Sequence, residues 1–197
     1  FYEDLEADNS KSFWTAHKAV YDEQVRAPMV ALMAALEPEF GAAKLFRPYR
    51  DVRFSKDKTA YKTHQGAVIQ QPGRAGLYMH VDAAGLLVGG GRWRLESAEV
   101  ARFRDLVLDD VDGAKLEKAL VKIRKTGFDV SDPELQRLPS GVAKNHPRAD
   151  LLRRKSLVAS RSFGAPDWLA TKRAATEVAK TWRALAPMLD WLDQVSR

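Results

Sequence analysis

"HQGAVIQQPGRAGLYMHVDAAGLLVGGG", residues 64–91, decides the fold. "HQGAVIQQ", "GLYMHVD" and "GLLVGGG" are short runs, with apolar and polar side chains alternating in the second, and "QPGRAG" and "DAAG" separate them. Runs of that kind predict strands, and Gly, Pro and Asp between them predict tight turns. The last two runs therefore read as a β-hairpin. Tyr78, His80 and Asp82 fall on one face of it, because strand side chains point alternately to opposite sides.

Outward from this core the period changes. "ADNSKSFWTAHKAVYDEQVRAPMVALMAALEPEFG", residues 7–41, has Trp14, Tyr21, Val25, Met29, Leu32 and Leu36 at helical spacing. It predicts a long N-terminal helix capped by Asn9 or Ser10, kinked or broken at Pro28 and ended by Pro38 and Gly41. "DVRFS" at 51–55 predicts a short strand. "SAEVARFRDLVLDD" and "DGAKLEKALVKIRKTG" predict amphipathic helices capped by Ser97 and Asp112. "FDVSDPELQRLPSGVAKNHP" reads as mostly loop, "PRADLLRR" as a short helix opened by Pro147, and "KSLVASRSF" as a strand. "APDWLATKRAATEVAKTWRALAPMLDWLDQV" predicts two C-terminal helices split near Pro187. The expectation is a single α+β domain over residues 1–197, a mostly antiparallel sheet packed with helices.

The chain has no cysteine, which excludes disulfides, thiolate metal sites and a cysteine nucleophile. No apolar run approaches the roughly 20 residues of a membrane-spanning helix. No signal peptide is visible, and the chain begins at Phe1 rather than Met, so residues preceding it are expected. These features fit a cytoplasmic protein without a membrane partner.

The formal charge is +6, and its distribution is uneven. Residues 47–64, "RPYRDVRFSKDKTAYKTH", hold six cations against Asp51 and Asp57. Residues 140–162 hold six against Asp150. If the two segments meet, they form one positive surface. Arg50, Arg53, Lys56, Lys58 and Lys62 supply forked or mobile donors suited to phosphate or carboxylate. Ser55 adds a hydroxyl, and Tyr61 a hydroxyl and a stacking face. His146, Arg154 and Lys155 are the candidates from the second segment. The competing reading is local pairing of Asp51 and Asp57 with neighbouring cations on a solvated edge.

His64 lies inside the first segment, where neighbouring cations disfavour its protonation. It is the candidate general base, with Asp51 orienting it or an arginine. No histidine pair has the spacing of a helical metal site and no HExxH occurs, so no metal or cofactor is expected. "GGGRW", residues 89–93, lacks the GK[ST] ending of a phosphate-binding loop. It reads as strand bending or a close approach of another segment.

"FRPYRDVRFSKDKTAYKTHQGA" resembles the signature of domain-of-unknown-function family 2461, a bacterial and fungal family. The likeness extends to "DNSKSFW…Y…VRAPM", "GLYMHVD…GLLVGGGRW" and "PSGVAKNHPRADLLRRKSL", and so to most of the chain. Ala60 stands where such sequences often carry Pro. The resemblance implies no reaction, cofactor or catalytic set. The functional expectation is therefore a binding protein for an anionic, phosphate-bearing ligand: a nucleotide, a nucleic-acid backbone or a phosphorylated metabolite. The site would join residues 47–64 to residues 144–155. The alternatives are a small-substrate hydrolase or transferase using His64, and a protein-interaction module without catalysis.

Overall fold

The structure is a computed structural model, and it describes residues 1–51, 53 and 56–196. The fold is α+β. Seven α-helices run Tyr2–Ala7 (α1), Lys11–Tyr21 (α2), Ala27–Phe40 (α3), Ser97–Leu108 (α4), Asp110–Lys125 (α5), Ala149–Leu152 (α6) and Arg173–Leu192 (α7) among the described residues. Among the described residues six strands run Lys44–Leu45 (β1), His64–Ile69 (β2), Gly76–Asp82 (β3), Gly85–Arg92 (β4), Asp129–Val130 (β5) and Leu157–Gly164 (β6). The sheet is antiparallel, in the order β1-β2-β3-β4-β6-β5. No helix among the described residues is long and apolar enough to cross a membrane.

The chain divides into two compact units. The first comprises Phe1–Ile69, Tyr78–Leu87 and Ser162–Ala179, and the second Gln70–Leu77, Val88–Arg161 and Lys180–Arg197. The core of the first is aromatic: Tyr2, Leu5, Trp14, Tyr21 and Tyr61 are buried together, with Phe1, Phe13 and Val25 packed against them. The second is built on the apolar stripes of α4 (Val100, Phe103, Leu106, Val107) and α5 (Leu116, Ala119, Leu120, Ile123). Trp191 meets Phe103 edge-on, with centroids 5.5 Å apart, and its indole N–H donates to Asp112 O at 2.8 Å.

The long N-terminal helix forms, and Ser10 caps it by accepting from Phe13 N at 3.1 Å. A π-helical turn at Asp22–Arg26 interrupts the α-helix just before Pro28, which lies in the first turn of α3. Its cause is visible in the buried stripe. Trp14 and Tyr21 are seven residues apart, but the next buried residue is Met29, eight further on, then Met33 and Leu36. An α-helix returns to one face after about seven residues. One extra residue must be absorbed, and the wider turn absorbs it. Pro38 lies inside α3, which ends at Gly41 with φ 93°.

The hairpin forms as expected. Asp82 Oδ1 accepts from Ala84 N at 2.9 Å and from Gly85 N at 3.0 Å, which fixes the turn. The glycines of 89–91 answer a close approach: a Cβ on Gly89 would lie 2.7 Å from Ala159 O.

Several expected boundaries are corrected. Glu96, not Ser97, caps α4, in a reciprocal capping box with Glu99. Asp109, not Asp112, caps α5 by accepting from Val111 N and Asp112 N. The C-terminal segment is one helix through Pro187, not two, because Leu185, Met188 and Trp191 continue one buried stripe across it. "DVRFS" is not a strand at its described positions. Asp51 and Arg53 lie outside the sheet, and Asp51 Oδ1 takes Arg53 N at 3.3 Å in a local turn that competes with a ladder. Val52, Phe54 and Ser55 lie outside the described residues.

Candidate functional site

Four titratable side chains of the first unit lie together on β2 and β3. His64 opens β2, and Tyr78, His80 and Asp82 alternate along β3. The His64 and His80 rings are 5.2 Å apart between centroids. Tyr78 Oη lies 3.0 Å from His80 Nδ1, and His80 Nε2 lies 3.3 Å from Asp82 Oδ2. For a neutral imidazole this fixes the tautomer: Nε2–H faces Asp82, and Nδ1 accepts the Tyr78 hydroxyl proton. Gly66 makes the arrangement possible. A Cβ there would lie 2.9 Å from Phe46 Cδ2 and 3.2 Å from the Tyr78 oxygen.

Both imidazoles are held below their ordinary pKa. Burial is the main cause for each. At His64 the neighbouring His80, Lys62 and Arg50 add to it, while Asp82 opposes. At His80 only Asp82 opposes, by charge and hydrogen bond. A neutral imidazole near pH 7 can accept a proton, as a general base must.

Two cations, Lys62 and Arg50, stand near His64, and Arg47 stands near Lys62. Lys62 Nζ donates to Arg47 O at 3.0 Å and lies 5.2 Å from the Phe46 ring centroid. Burial lowers its pKa first, and Arg47 and Arg50 lower it further. Arg50 Nε donates to Tyr61 O at 3.1 Å, and Nη1 pairs with Asp57. Asp57 also accepts from Thr59 N at 2.9 Å, so the loop is locally braced. The Arg47 side chain has no ion pair or hydrogen bond among the described residues.

The other candidates of this segment divide. Asp51 does not touch His64: it holds Arg53 in a two-pronged pair, Nε–Oδ1 2.9 Å and Nη2–Oδ2 2.6 Å, at an exposed position. Lys56 and Lys58 are exposed. Tyr61 is 5 % exposed and stacks on Trp14 at 4.4 Å, so its ring belongs to the core. Ser55 lies outside the described residues. Local pairing thus explains Arg50 and Arg53; Lys62 is held by the Arg47 carbonyl and the Phe46 ring, and Arg47 makes no ion pair among the described residues, with Asp51 its nearby carboxylate.

Residues 144–155 belong to the second unit and 47–64 to the first. Arg154 is 4 % exposed, its guanidinium bonded to Ser131 O and Oγ, and burial lowers its pKa. His146 Nδ1 accepts from Arg148 N at 3.0 Å. Lys155 is exposed and borders a polar concavity of about 500 Å³ with Arg94 and Arg104. Arg148 serves the fold: Nη1 donates to Val107 O and Asp109 O at 3.1 Å, and Nε meets Glu117 at 2.9 Å. No group of three His, Asp or Glu among the described residues is placed to hold a metal ion.

Sequence reading placed Tyr78, His80 and Asp82 on one face but did not join them to His64. Alternation supplied the face; the pairing of β2 with β3 supplied the neighbour. The profile of the conserved hypothetical protein family DUF2461 matches residues 1–191, and the chain belongs to that family. Neither the curated proteins nor the solved structures yield a significant match.

Proposed function

We propose that the protein binds a small phosphate-bearing anion against Arg47, Arg50, Lys62 and His64. The carrying observation is the crowding at Lys62: burial lowers its pKa first and the nearby Arg47 and Arg50 lower it further, with Asp57 the carboxylate that pairs with Arg50. Like charges held together and partly desolvated are relieved by an anion that takes all of them at once. A phosphate offers acceptors to the Arg47 fork, to Lys62 and to a protonated or neutral-donor His64.

A second reading comes from the histidines. Neutral His64 beside the Tyr78–His80–Asp82 chain has the parts of a proton-transfer site, which supports hydrolysis or transfer on the bound phosphate compound.

Calorimetric titration with pyrophosphate and with adenosine monophosphate tests the binding. Binding is expected, with affinity reduced ~10-fold or more in Lys62→Gln, the loss of one charge-assisted contact. Arg53→Ala, which removes an exposed and locally paired cation, should leave it unchanged. Absence of binding by both probes, or equal loss in Arg53→Ala, overturns the proposal. A nucleic-acid backbone instead would show as single-strand binding that falls linearly in log–log salt.

A further inference from the structure

The first unit contains a cavity of about 920 Å³ that the anion site does not use. Its walls are α3, the π-helical turn, Val81 of β3 and the segment from Ala165 to Ala175. The volume lies within the roughly 300–1,000 Å³ of small-molecule sites. Val81 points away from the face that carries His80 and Asp82, so the cavity is distinct from the histidine cluster.

Three observations point to an occupant. The first is α3 itself. "APMVALMAALEPEF" is apolar on all sides, a pattern of helices buried all round, yet Ala31, Ala35 and 43 % of Val30 are exposed. The second is Tyr2. It is 7 % exposed, lines the cavity, and its hydroxyl has no hydrogen-bond partner among the described residues. A hydroxyl without a protein partner is free to donate to a ligand. The third is the π-helical turn, which places Gln24 and Val25 in the wall. Such turns recur at functional sites.

The chemistry of the wall sets the ligand class. Among the described residues Asp167 and Lys172 are the charged ones that line it, one of each sign. Burial, Tyr21 and Asp82 all keep the Tyr2 hydroxyl protonated, so it is a donor. The same Asp82 carboxylate opposes a second anion there. We propose that the cavity binds a small, uncharged, largely apolar molecule bearing one hydrogen-bond acceptor, which receives the Tyr2 hydroxyl proton.

The test uses N-phenyl-1-naphthylamine as fluorescent reporter and 2-nonanone as competitor, on the full chain. The reporter should bind with enhanced emission, and the ketone should displace it. Tyr2→Phe should keep the reporter and weaken the ketone ~3–10-fold, the loss of one hydrogen bond. Ala35→Phe fills the cavity from an exposed position and should abolish both without lowering the melting temperature; Ala31→Leu serves if that variant fails to fold. No enhancement overturns the proposal, as does ketone affinity equal in Tyr2→Phe and wild type, or binding that survives the filled cavity. A dimer in light scattering that Ala35→Phe dissociates would assign the face to a second copy and overturn it too.

Discussion

His64 and His80 share one electrostatic fate. In the folded chain each binds its proton less readily than a free imidazole, chiefly through burial. The unfolded chain therefore takes up more protons as pH falls below the ordinary imidazole value of about 6.5. Stability contributed by the neutral rings is fully present above that pH and is lost as pH falls through the depressed folded values. Chemical denaturation between pH 7.5 and 5 should show this decline, and His64→Gln and His80→Gln should each flatten it. A wild-type curve unchanged across that range would remove the burial argument for both residues. Charge density made His64 legible as a candidate. The burial of Arg154 and Tyr61 was not legible, because a cation or a tyrosine in a charged run carries no mark of the core side chains that enclose it.

Among the elements, α4 and α5 show how local preference yields to packing. Gly113 sits in the first turns of α5, where alanine would ordinarily stabilise a helix by about 1 kcal/mol. A Cβ there would overlap Val107 O and lie 2.5 Å from Arg148 Nη1, the group that bonds the carbonyl end of α4. Gly113→Ala is expected to destabilise the protein by ~1–3 kcal/mol, an overpacking cost that exceeds the propensity gain. Denaturant midpoints of the two proteins decide the sign. Element types were mostly legible, since the strand period is clear in the sequence of β3, the helix period is clear in α4 and α5, and turn residues bound β2 and β4. Pro187 misled because its missing N–H is local information, and the buried stripe of α7 that outweighs it is not.

At the scale of the whole molecule, each compact unit is assembled from three separate stretches of chain, and β3, β4, β6 and α7 each carry residues of both. A strand or helix cannot melt halfway without breaking its own hydrogen bonds. The two units are therefore expected to unfold in one transition. Hydrogen exchange should give β2 and α5 amides the same highest opening free energy, whereas a value several kcal/mol lower for either element would mean separate unfolding. This interleaving was not legible in the sequence, which carries no linker between the units. The π-helical turn at Asp22–Arg26 bears on descent as well as on shape. A helix that already holds one residue beyond the needs of its stripe has a place where a codon can be lost without re-aiming the turns after it. Deleting one residue there would restore the seven-residue interval between Tyr21 and Met29, whereas the same deletion within α3 would swing Leu36 by about 100° out of the core.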